Sequence, residues 1–538
     1  MREEVFKKPS AERVVAGGTW FLLALFLAGC LPFVVVTFGS RTYGPAAFEY
    51  YTTGWALTAL CELVAMGLAA TYVRQVSEAH ERDPAEAKIV AANATLLMVF
   101  LGFVLSAAFF PLLFLLVHEP GDRLAFSLIG LSLPIIYLKD ALVSMLNAMH
   151  RFDYSSVIIF AGNVAVMLVG GILILFFQGA EYAPFLTLTV TGLAVFTLLC
   201  SLHLFGKASP YSLRSLFDLS LLDRKVLSRF LRSSLWITLS NLTAFGLTLQ
   251  TSVFLVRILM TERELVGIYG VAAQYAWSMI FVTCMAGPLV PELARAKERG
   301  DKQLMEESAR AVMKWTFGMG ILMIVLYLVL AELLLFTFNG PAYVSGRVPL
   351  MLANTGMVLY GMSTVFGQIL VGLGREEEAG RVFGFSHLVF ILLSVLLVHR
   401  LGLNSVPLSL LLSSLISMVA LLHSALLTLG IGCDWKLILR TTLIGAFSAG
   451  TCLSLIPGSE VFSHSLQAFL PMVGWGAAAC GLYLLLLIFW GHYDESDYRM
   501  VEKTVASFHP ILVPLSHRLT AAMRKIASLN PFLRRPAL

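Results

Sequence analysis

The sequence predicts an all-α polytopic membrane protein with about 14 transmembrane helices. The prediction depends on a low charge content, on long uncharged runs and on an uneven distribution of Lys and Arg. Of the 538 residues, 13% are charged and 58% are hydrophobic, and the mean hydropathy is +0.81. Soluble domains carry about 25% charged and 45–50% apolar residues. This composition excludes an ordinary water-soluble enzyme.

The uncharged runs are long enough to cross a bilayer. The interval between Arg13 and Arg41 holds 27 uncharged residues, and that between Arg400 and Asp434 holds 33, whereas one crossing needs about 20. The runs are continuously apolar rather than alternating, which excludes a β-barrel. Cutting at polar clusters predicts fourteen spans: 14–38, 50–72, 89–117, 124–149, 155–177, 183–204, 233–260, 266–290, 312–336, 348–372, 382–400, 405–430, 438–456 and 467–490.

The basic residues predict the orientation of these spans. The N-terminus, the even-numbered loops and the C-terminal tail together hold 31 Lys and Arg, whereas the odd-numbered loops hold 5. Cytoplasmic loops are enriched in Lys and Arg. We therefore expect a multi-pass membrane protein with both termini in the cytoplasm.

Similar segments recur in the two halves of the chain. Gly54 and Gly270 lie 216 residues apart, and Arg151 and Arg375 lie 224 apart, each pair in similar local sequence. Six spans separate the members of each pair, so the repeat is parallel. Transporters built from such repeats bind substrate between them. The predicted domains are an N-lobe of spans 1–6, a C-lobe of spans 7–12, spans 13–14, and a tail with an amphipathic helix, over residues 1–215, 216–432, 433–492 and 493–538.

Four segments carry a family resemblance: YGPAAFEYYTTG, GLAATYVRQ, AMHRFDYSS and, most specifically, VGIYGVAAQYAWSMI with the downstream GPLVPELARAKERGD. They resemble the multidrug/oligosaccharidyl-lipid/polysaccharide (MOP) exporter superfamily, and most closely its polysaccharide flippase (Wzx-like) branch. The resemblance implies two six-helix lobes around a cavity. It also implies rocking between inward- and outward-open states while a lipid-linked sugar crosses.

The sequence departs from that superfamily at several positions. Many members carry an acidic residue partway along span 7, where this chain has Gln250 and Thr251. Cation-coupled drug exporters usually keep acids in spans 1, 7 or 10, and none of these spans has one here. The lipid II flippase branch carries arginines in span 1, which is uncharged in this chain. These differences disfavour a cation-coupled drug exporter and a lipid II flippase without excluding either.

Three charges lie near the middle of predicted spans: Glu62 in span 2, and Lys139 and Asp140 in span 4. A charge at the bilayer centre costs about 2.5–3.5 kcal/mol on insertion scales, so it needs a partner or a water-filled cavity. The depths of Glu62 and Lys139 permit an ion pair that only holds the N-lobe together. Alternatively, Lys139 attracts the pyrophosphate of a lipid carrier while Glu62 or Asp140 takes up a proton. Arg257, near the outer end of span 7, either extends to the interface or contacts substrate.

We therefore expect a flippase of the plasma (cell inner) membrane that moves a polyprenyl-linked oligosaccharide across it by alternating access, for polysaccharide or cell-envelope biosynthesis. The alternatives are a cation-coupled exporter of small molecules and a non-transporting membrane subunit of a polysaccharide export or synthesis complex. The sequence lacks a GxxxxGK[ST] phosphate loop, and its seven cysteines form no CxxC pair. We predict no catalytic residue, metal or cofactor and no nucleic-acid partner. The expected partners are the bilayer, the lipid-linked oligosaccharide, and glycosyltransferases or a polymerase of the same pathway.

The tail repeats apolar residues at helical spacing. Leu512, Leu515, Leu519, Met523 and Ile526 recur at three- and four-residue steps, with basic residues between them. This pattern is typical of an amphipathic helix that lies on an anionic membrane surface. Docking of a partner protein is the alternative.

Overall fold

Helices form every regular element that the structure describes, which confirms the all-α prediction. The computed structural model describes residues 10–116, 120–149, 151–209, 211–245, 249–276, 282–283, 293, 297, 300–463, 465–493, 495 and 513–530. The α-helices are α1 (Ser10–Arg82), α2 (Pro84–Leu116), α3 (Pro120–Ala148), α4 (Phe152–Phe176), α5 (Leu188–Ala208), α6 (Leu213–Leu216), α7 (Arg224–Phe245), α8 (Leu249–Leu259), α9 (Arg263–Tyr275), α10 (Lys302–Asn339), α11 (Arg347–Gly372), α12 (Glu376–Leu401), α13 (Ser405–Leu429), α14 (Trp435–Leu455), α15 (Phe469–Phe489) and α16 (Val513–Ser528).

Ten helical segments in the described part of the chain are long and apolar enough to cross a membrane. Two of them, Leu31–Ser77 and Glu376–Leu429, contain 47 and 54 residues. Each is long enough for two crossings, since one crossing needs about 20 residues. Predicted spans 7 and 8 account for the remaining difference from fourteen, because each lies partly outside the described residues. The chain is a multi-pass membrane protein.

A backbone break divides α1 where the sequence predicts the first loop. Gly44 has φ 75° and ψ 172° and is followed by Pro45. Glycine adopts positive φ without a steric cost, and proline lacks the N–H that would continue the helical hydrogen bonds. The Gly-Pro pair therefore ends the first predicted span and begins the second.

The chain forms two compact units. The first comprises Met1–Tyr275 and Gly380–Ser413, and the second comprises Ala276–Ala379 and Ser414–Leu538. The first unit thus includes residues 216–275 of the predicted C-lobe. The lobe boundaries at 215 and 432 remain predictions.

Buried aromatic residues hold the first unit together at the contact of α1, α2 and α3. Tyr72 and Tyr137 are fully buried in a cluster with Met98. The Tyr72 and Thr95 hydroxyls share a hydrogen bond of 3.1 Å, and Tyr137 Oη donates to the Cys61 carbonyl at 2.9 Å. Buried tyrosines need such partners because an unpaired hydroxyl in an apolar interior is costly.

A segment that carries the family resemblance meets the turn before Arg375 in the second unit. Lys297, from the ARAKERGD segment, donates from Nζ to the Leu373 carbonyl oxygen at 2.7 Å. The next residue, Gly374, has φ +72°. Lys297 therefore binds the turn that ends α11. Most of the GPLVPELARAKERGD segment lies outside the described residues.

The tail helix α16 packs within the second unit. Met523 and Ile526 contact the buried cluster around Tyr483. Asn530 Nδ2 donates to the Phe489 carbonyl oxygen at 2.7 Å, which fixes the end of α16 beside the end of α15. Leu519 is exposed, while Leu512 and the side chain of Leu515 lie outside the described residues. The amphipathic helix is present, and part of its apolar face is covered by the protein itself.

Candidate functional site

Two groups of charged side chains lie inside the first unit. The outer network consists of Glu49, Tyr50, Asp122, Arg257 and Arg263. These residues lie where the predicted odd-numbered loops meet their spans. Under the predicted orientation, the network therefore belongs to the outer face. The mid-helix cluster consists of Glu62, Lys139 and Asp140.

Arg257, near the end of α8, binds two carboxylates from distant parts of the chain. Its Nε pairs with Glu49 Oε1. Its Nη2 donates to Asp122 Oδ2 at 3.4 Å. Glu49 belongs to α1, and Asp122 lies in the first turn of α3. One guanidinium therefore joins three helices, as its planar fork of donors permits.

Arg263, in the first turn of α9, binds Asp122 through both carboxylate oxygens. Its Nη2 lies 3.0 Å from Oδ1 and 2.9 Å from Oδ2. Tyr50 Oη completes the arrangement, since it accepts from Arg263 Nη1 at 2.6 Å and donates to Asp122 Oδ1 at 2.5 Å. Each of these hydrogen bonds has a charged partner, and such bonds are stronger than neutral ones.

The acids of the outer network are more deeply buried than its arginines. The side chains of Glu49 and Asp122 are 0% and 4% exposed, whereas those of Arg257 and Arg263 are 26% and 27% exposed. Glu49 Oε2 has no hydrogen-bond partner among the described residues. A buried carboxylate without its cation is strongly destabilising, so the network depends on both arginines remaining in place.

Close backbone packing brings α9 to this position. A Cβ atom on Gly267 would overlap the carbonyl oxygen of Pro45, and a Cβ on Gly270 would overlap the Thr52 side chain. Both glycines belong to the VGIYG stretch of the sequence. Absence of side chains at these two positions lets α9 approach the part of α1 that carries Glu49 and Tyr50.

The charged side chains of Lys139 and Asp140 in the mid-helix cluster are more exposed than the acids of the outer network. Lys139 Nζ forms its ion pair with the adjacent Asp140 Oδ1 at 2.6 Å, and the two side chains are 20% and 21% exposed. Glu62 lies close enough to both for their charges to interact. The Tyr137 hydroxyl donates to the carbonyl oxygen of Cys61, the residue before Glu62, and so holds α3 against α1. The predicted proximity of Glu62 and Lys139 is therefore observed, but the ion pair of Lys139 is with Asp140.

The structure assigns the four predicted residues to different groups. Glu62, Lys139 and Asp140 lie together, whereas Arg257 belongs to the outer network and binds two carboxylates. Sequence reasoning missed Glu49, Tyr50, Asp122 and Arg263. The sequence offered one signal for Arg263. It is one of only five basic residues in the odd-numbered loops, so a specific role for it could have been suspected. Within the described residues, no three His, Cys, Asp or Glu side chains are grouped as metal ligands.

Comparison with known proteins identifies the family. The family model described as "Polysaccharide biosynthesis protein" matches residues 14–297, which is more than half of the chain. The chain belongs to the polysaccharide biosynthesis protein family. The match includes every residue of the outer network and of the mid-helix cluster. No curated protein sequence matches this member of the family.

Solved structures of MOP superfamily transporters share the fold of this family member. A lipid II flippase MurJ in an inward closed conformation matches with a TM-score of 0.69 and 13% identity, over 88% of this chain and 98% of that one. An inward-facing multidrug resistance MATE family transporter matches with a TM-score of 0.60 and 16% identity, over 81% and 100%. A MOP superfamily transporter from Pyrococcus furiosus matches with a TM-score of 0.52 and 18% identity, over 79% and 97%. The fold that the resemblance to the MOP superfamily implies is confirmed.

Proposed function

We propose that the protein is a flippase that moves a polyprenyl-linked oligosaccharide across the plasma membrane for polysaccharide biosynthesis. The observation that carries the proposal is the family match over residues 14–297 in a chain with the MOP transporter fold. A lipid-linked sugar has a polar head that cannot cross hydrocarbon unaided. A helical transporter of a polysaccharide pathway is suited to move it from the cytoplasmic to the outer leaflet.

The mid-helix cluster supplies the chemistry for the anionic part of that substrate. A charge within a transmembrane segment usually faces a partner or a water-filled path. Lys139 is the cation that attracts the pyrophosphate, and its partly exposed pair with Asp140 leaves it accessible. When the pyrophosphate binds Lys139, it displaces Asp140 from the ion pair. Asp140 or Glu62 is then the candidate acceptor of a proton in this step.

The outer network closes the outer side during the inward-facing part of the cycle. It holds α8 and α9 against α1 and α3 through two arginines. Alternating access requires that this face open when the sugar leaves, so both arginines must release Glu49 and Asp122. A transmembrane gradient or consumption of the product, rather than ATP, supplies the energy.

A reconstituted flipping assay tests this function. The purified protein is placed in liposomes with a fluorescent polyprenyl-pyrophosphate oligosaccharide, and a membrane-impermeant quencher reports the fraction in each leaflet. We expect the wild-type protein and the surface control Lys225→Gln to flip the lipid, and Lys139→Gln to lose at least tenfold in rate.

Other outcomes would replace the proposal. Gradient-driven efflux of a small organic cation without flipping would identify a cation-coupled exporter. Absence of both activities, with stable association of glycosyltransferases of the pathway, would identify a non-transporting subunit. Impermeant labelling of tags at the two ends tests the orientation, and label at either terminus from outside would contradict it.

A further inference from the structure

A pocket of about 710 Å³ lies in the second unit, far along the chain from both charged groups described above. It is bounded by the start of α10, the end of α13, the start of α14 and the segment after α15. Its volume is within the range of small-ligand sites. These helix ends adjoin predicted even-numbered loops, which belong to the cytoplasmic face under the proposed orientation.

Three cations line this pocket. Arg310 and Lys314 come from α10 and Arg440 from α14. Arg310 and Lys314 are four residues apart, so they share one face of their helix. Arg440 Nη1 donates to the Trp490 carbonyl oxygen at 2.8 Å, while its Nε is buried without a hydrogen-bond partner among the described residues. Arg440 therefore contributes its positive charge to the pocket lining from a side chain that the Trp490 carbonyl oxygen holds in place.

The pocket's two acids already have partners on their own helices. Glu307 Oε1 accepts from Gln303 Nε2 at 2.8 Å. Asp434 caps α14, since its Oδ1 accepts from the Leu437 N–H at 3.0 Å. Burial, reinforced by the positive charges of Arg440 and Lys314, lowers the pKa of His492 to about 4. His492 is uncharged at neutral pH, so the lining carries a net charge of +1 from three cations and two acids.

An exposed apolar stripe begins beside the pocket. Trp435, Leu439, Leu443 and Phe447 are 69%, 61%, 59% and 62% exposed and recur every four residues along α14. A membrane helix presents such a surface to lipid chains, with tryptophan enriched at the interface. The stripe gives acyl chains a surface to follow from a headgroup held among the cations.

We propose that this pocket binds the phosphate of an anionic phospholipid, with the acyl chains lying along the exposed stripe of α14. Basic pockets between transmembrane helices at the cytoplasmic side are suited to such headgroups. A soluble phosphate would use the same three cations but would gain nothing from the stripe. The site is separate from the mid-helix cluster and does not depend on flipping activity.

Lipid binding to the full-length protein in detergent tests the proposal. Native mass spectrometry compares phosphatidylglycerol with phosphatidylcholine on the wild type and on the double variant Arg310→Gln/Lys314→Gln. Each cation near an anionic headgroup contributes about fivefold in affinity, so the double variant should bind phosphatidylglycerol about 25-fold more weakly. Phosphatidylcholine binding should not change. The control is Lys436→Gln. It removes an exposed cation in the first turn of α14 that does not line the pocket, so this variant should bind phosphatidylglycerol like wild type.

A second measurement separates loss of the site from loss of folding. A ligand that binds the native state raises its stability, so phosphatidylglycerol should raise the melting temperature of the wild type more than that of the double variant. Unchanged phosphatidylglycerol binding by a folded double variant would refute the site. Displacement of phosphatidylglycerol by inorganic phosphate would refute the lipid assignment in favour of a soluble anion. Equal affinity of the wild type for both lipids would also overturn it.

Discussion

The outer network and the mid-helix cluster contain similar side chains but are built differently. In the outer network, residues 141 to 213 positions apart form mutual contacts around fully or almost fully buried acids. In the mid-helix cluster, the ion pair is between adjacent residues, and both are about one-fifth exposed. Long-range, buried pairing suits a structural closure, whereas short-range, accessible pairing leaves the charges available to a ligand. Stability measurements should therefore distinguish the two groups.

Arg257→Met should produce the largest loss of stability. It leaves the buried Glu49 carboxylate without its cation, and breaking a buried ion pair costs about 3–5 kcal/mol. Equilibrium unfolding in detergent measures the change. The double variant Glu49→Gln/Arg257→Met removes both charges and should recover part of the loss. A single variant as stable as wild type would show that the outer network contributes little to the fold.

Tyr50→Phe should have an intermediate effect. It removes the hydroxyl that bridges Asp122 and Arg263 but leaves their direct contact intact. Hydrogen bonds to charged groups contribute about 1.5–3 kcal/mol. The same unfolding measurement applies, with Tyr182→Phe, an exposed tyrosine, as the control. A loss equal to that of Arg257→Met would mean that the hydroxyl, rather than the arginines, dominates the network.

Gly267→Ala tests the packing beneath the outer network. The added methyl group must displace the Pro45 backbone, and overpacking costs about 1–3 kcal/mol. Gly171→Ala is the matched control, because a Cβ there meets nothing within 4 Å. Equal behaviour of the two variants would contradict the close approach of α9 to α1.

Lys139→Gln should have the smallest effect on stability and a large effect on transport. Its ion pair is with the adjacent residue and joins no distant helices, so we expect a smaller loss of stability than Arg257→Met causes. The flipping rate should nevertheless fall, because Lys139 is the proposed contact for pyrophosphate. Unfolding and flipping measured on the same preparation decide between the two interpretations. A large loss of stability with a normal flipping rate would make the mid-helix cluster structural.

The sequence was sufficient to predict the helical class, the approximate spans and the position of the first loop. These features follow from local patterns, such as runs without charge and the Gly44-Pro45 pair. It was also sufficient to identify Glu62, Lys139 and Asp140, because isolated charges within apolar runs are conspicuous, and their shared depth follows from the helical rise.

The partners of Arg257 could not be predicted in the same way. Glu49 and Asp122 lie near the ends of predicted spans, where a charge is ordinarily hydrated and needs no explanation. The packing of α8 and α9 against α1 and α3 brings the two arginines to them. That packing depends on which backbones approach closely, and a sequence pattern on one helix does not specify its neighbour. The pairing of Lys139 with Asp140 was missed for a different reason, since it forms between adjacent residues of one helix and not between two helices.

Gly267 also has a consequence for natural variation. Every substitution there introduces at least one carbon atom where the Pro45 carbonyl oxygen already lies. A nucleotide change that replaces this residue can persist only if the neighbouring turn shifts as well. Among descendants of the same ancestor, glycine should therefore be retained at position 267 wherever this turn keeps its course, whichever residue stands at position 45.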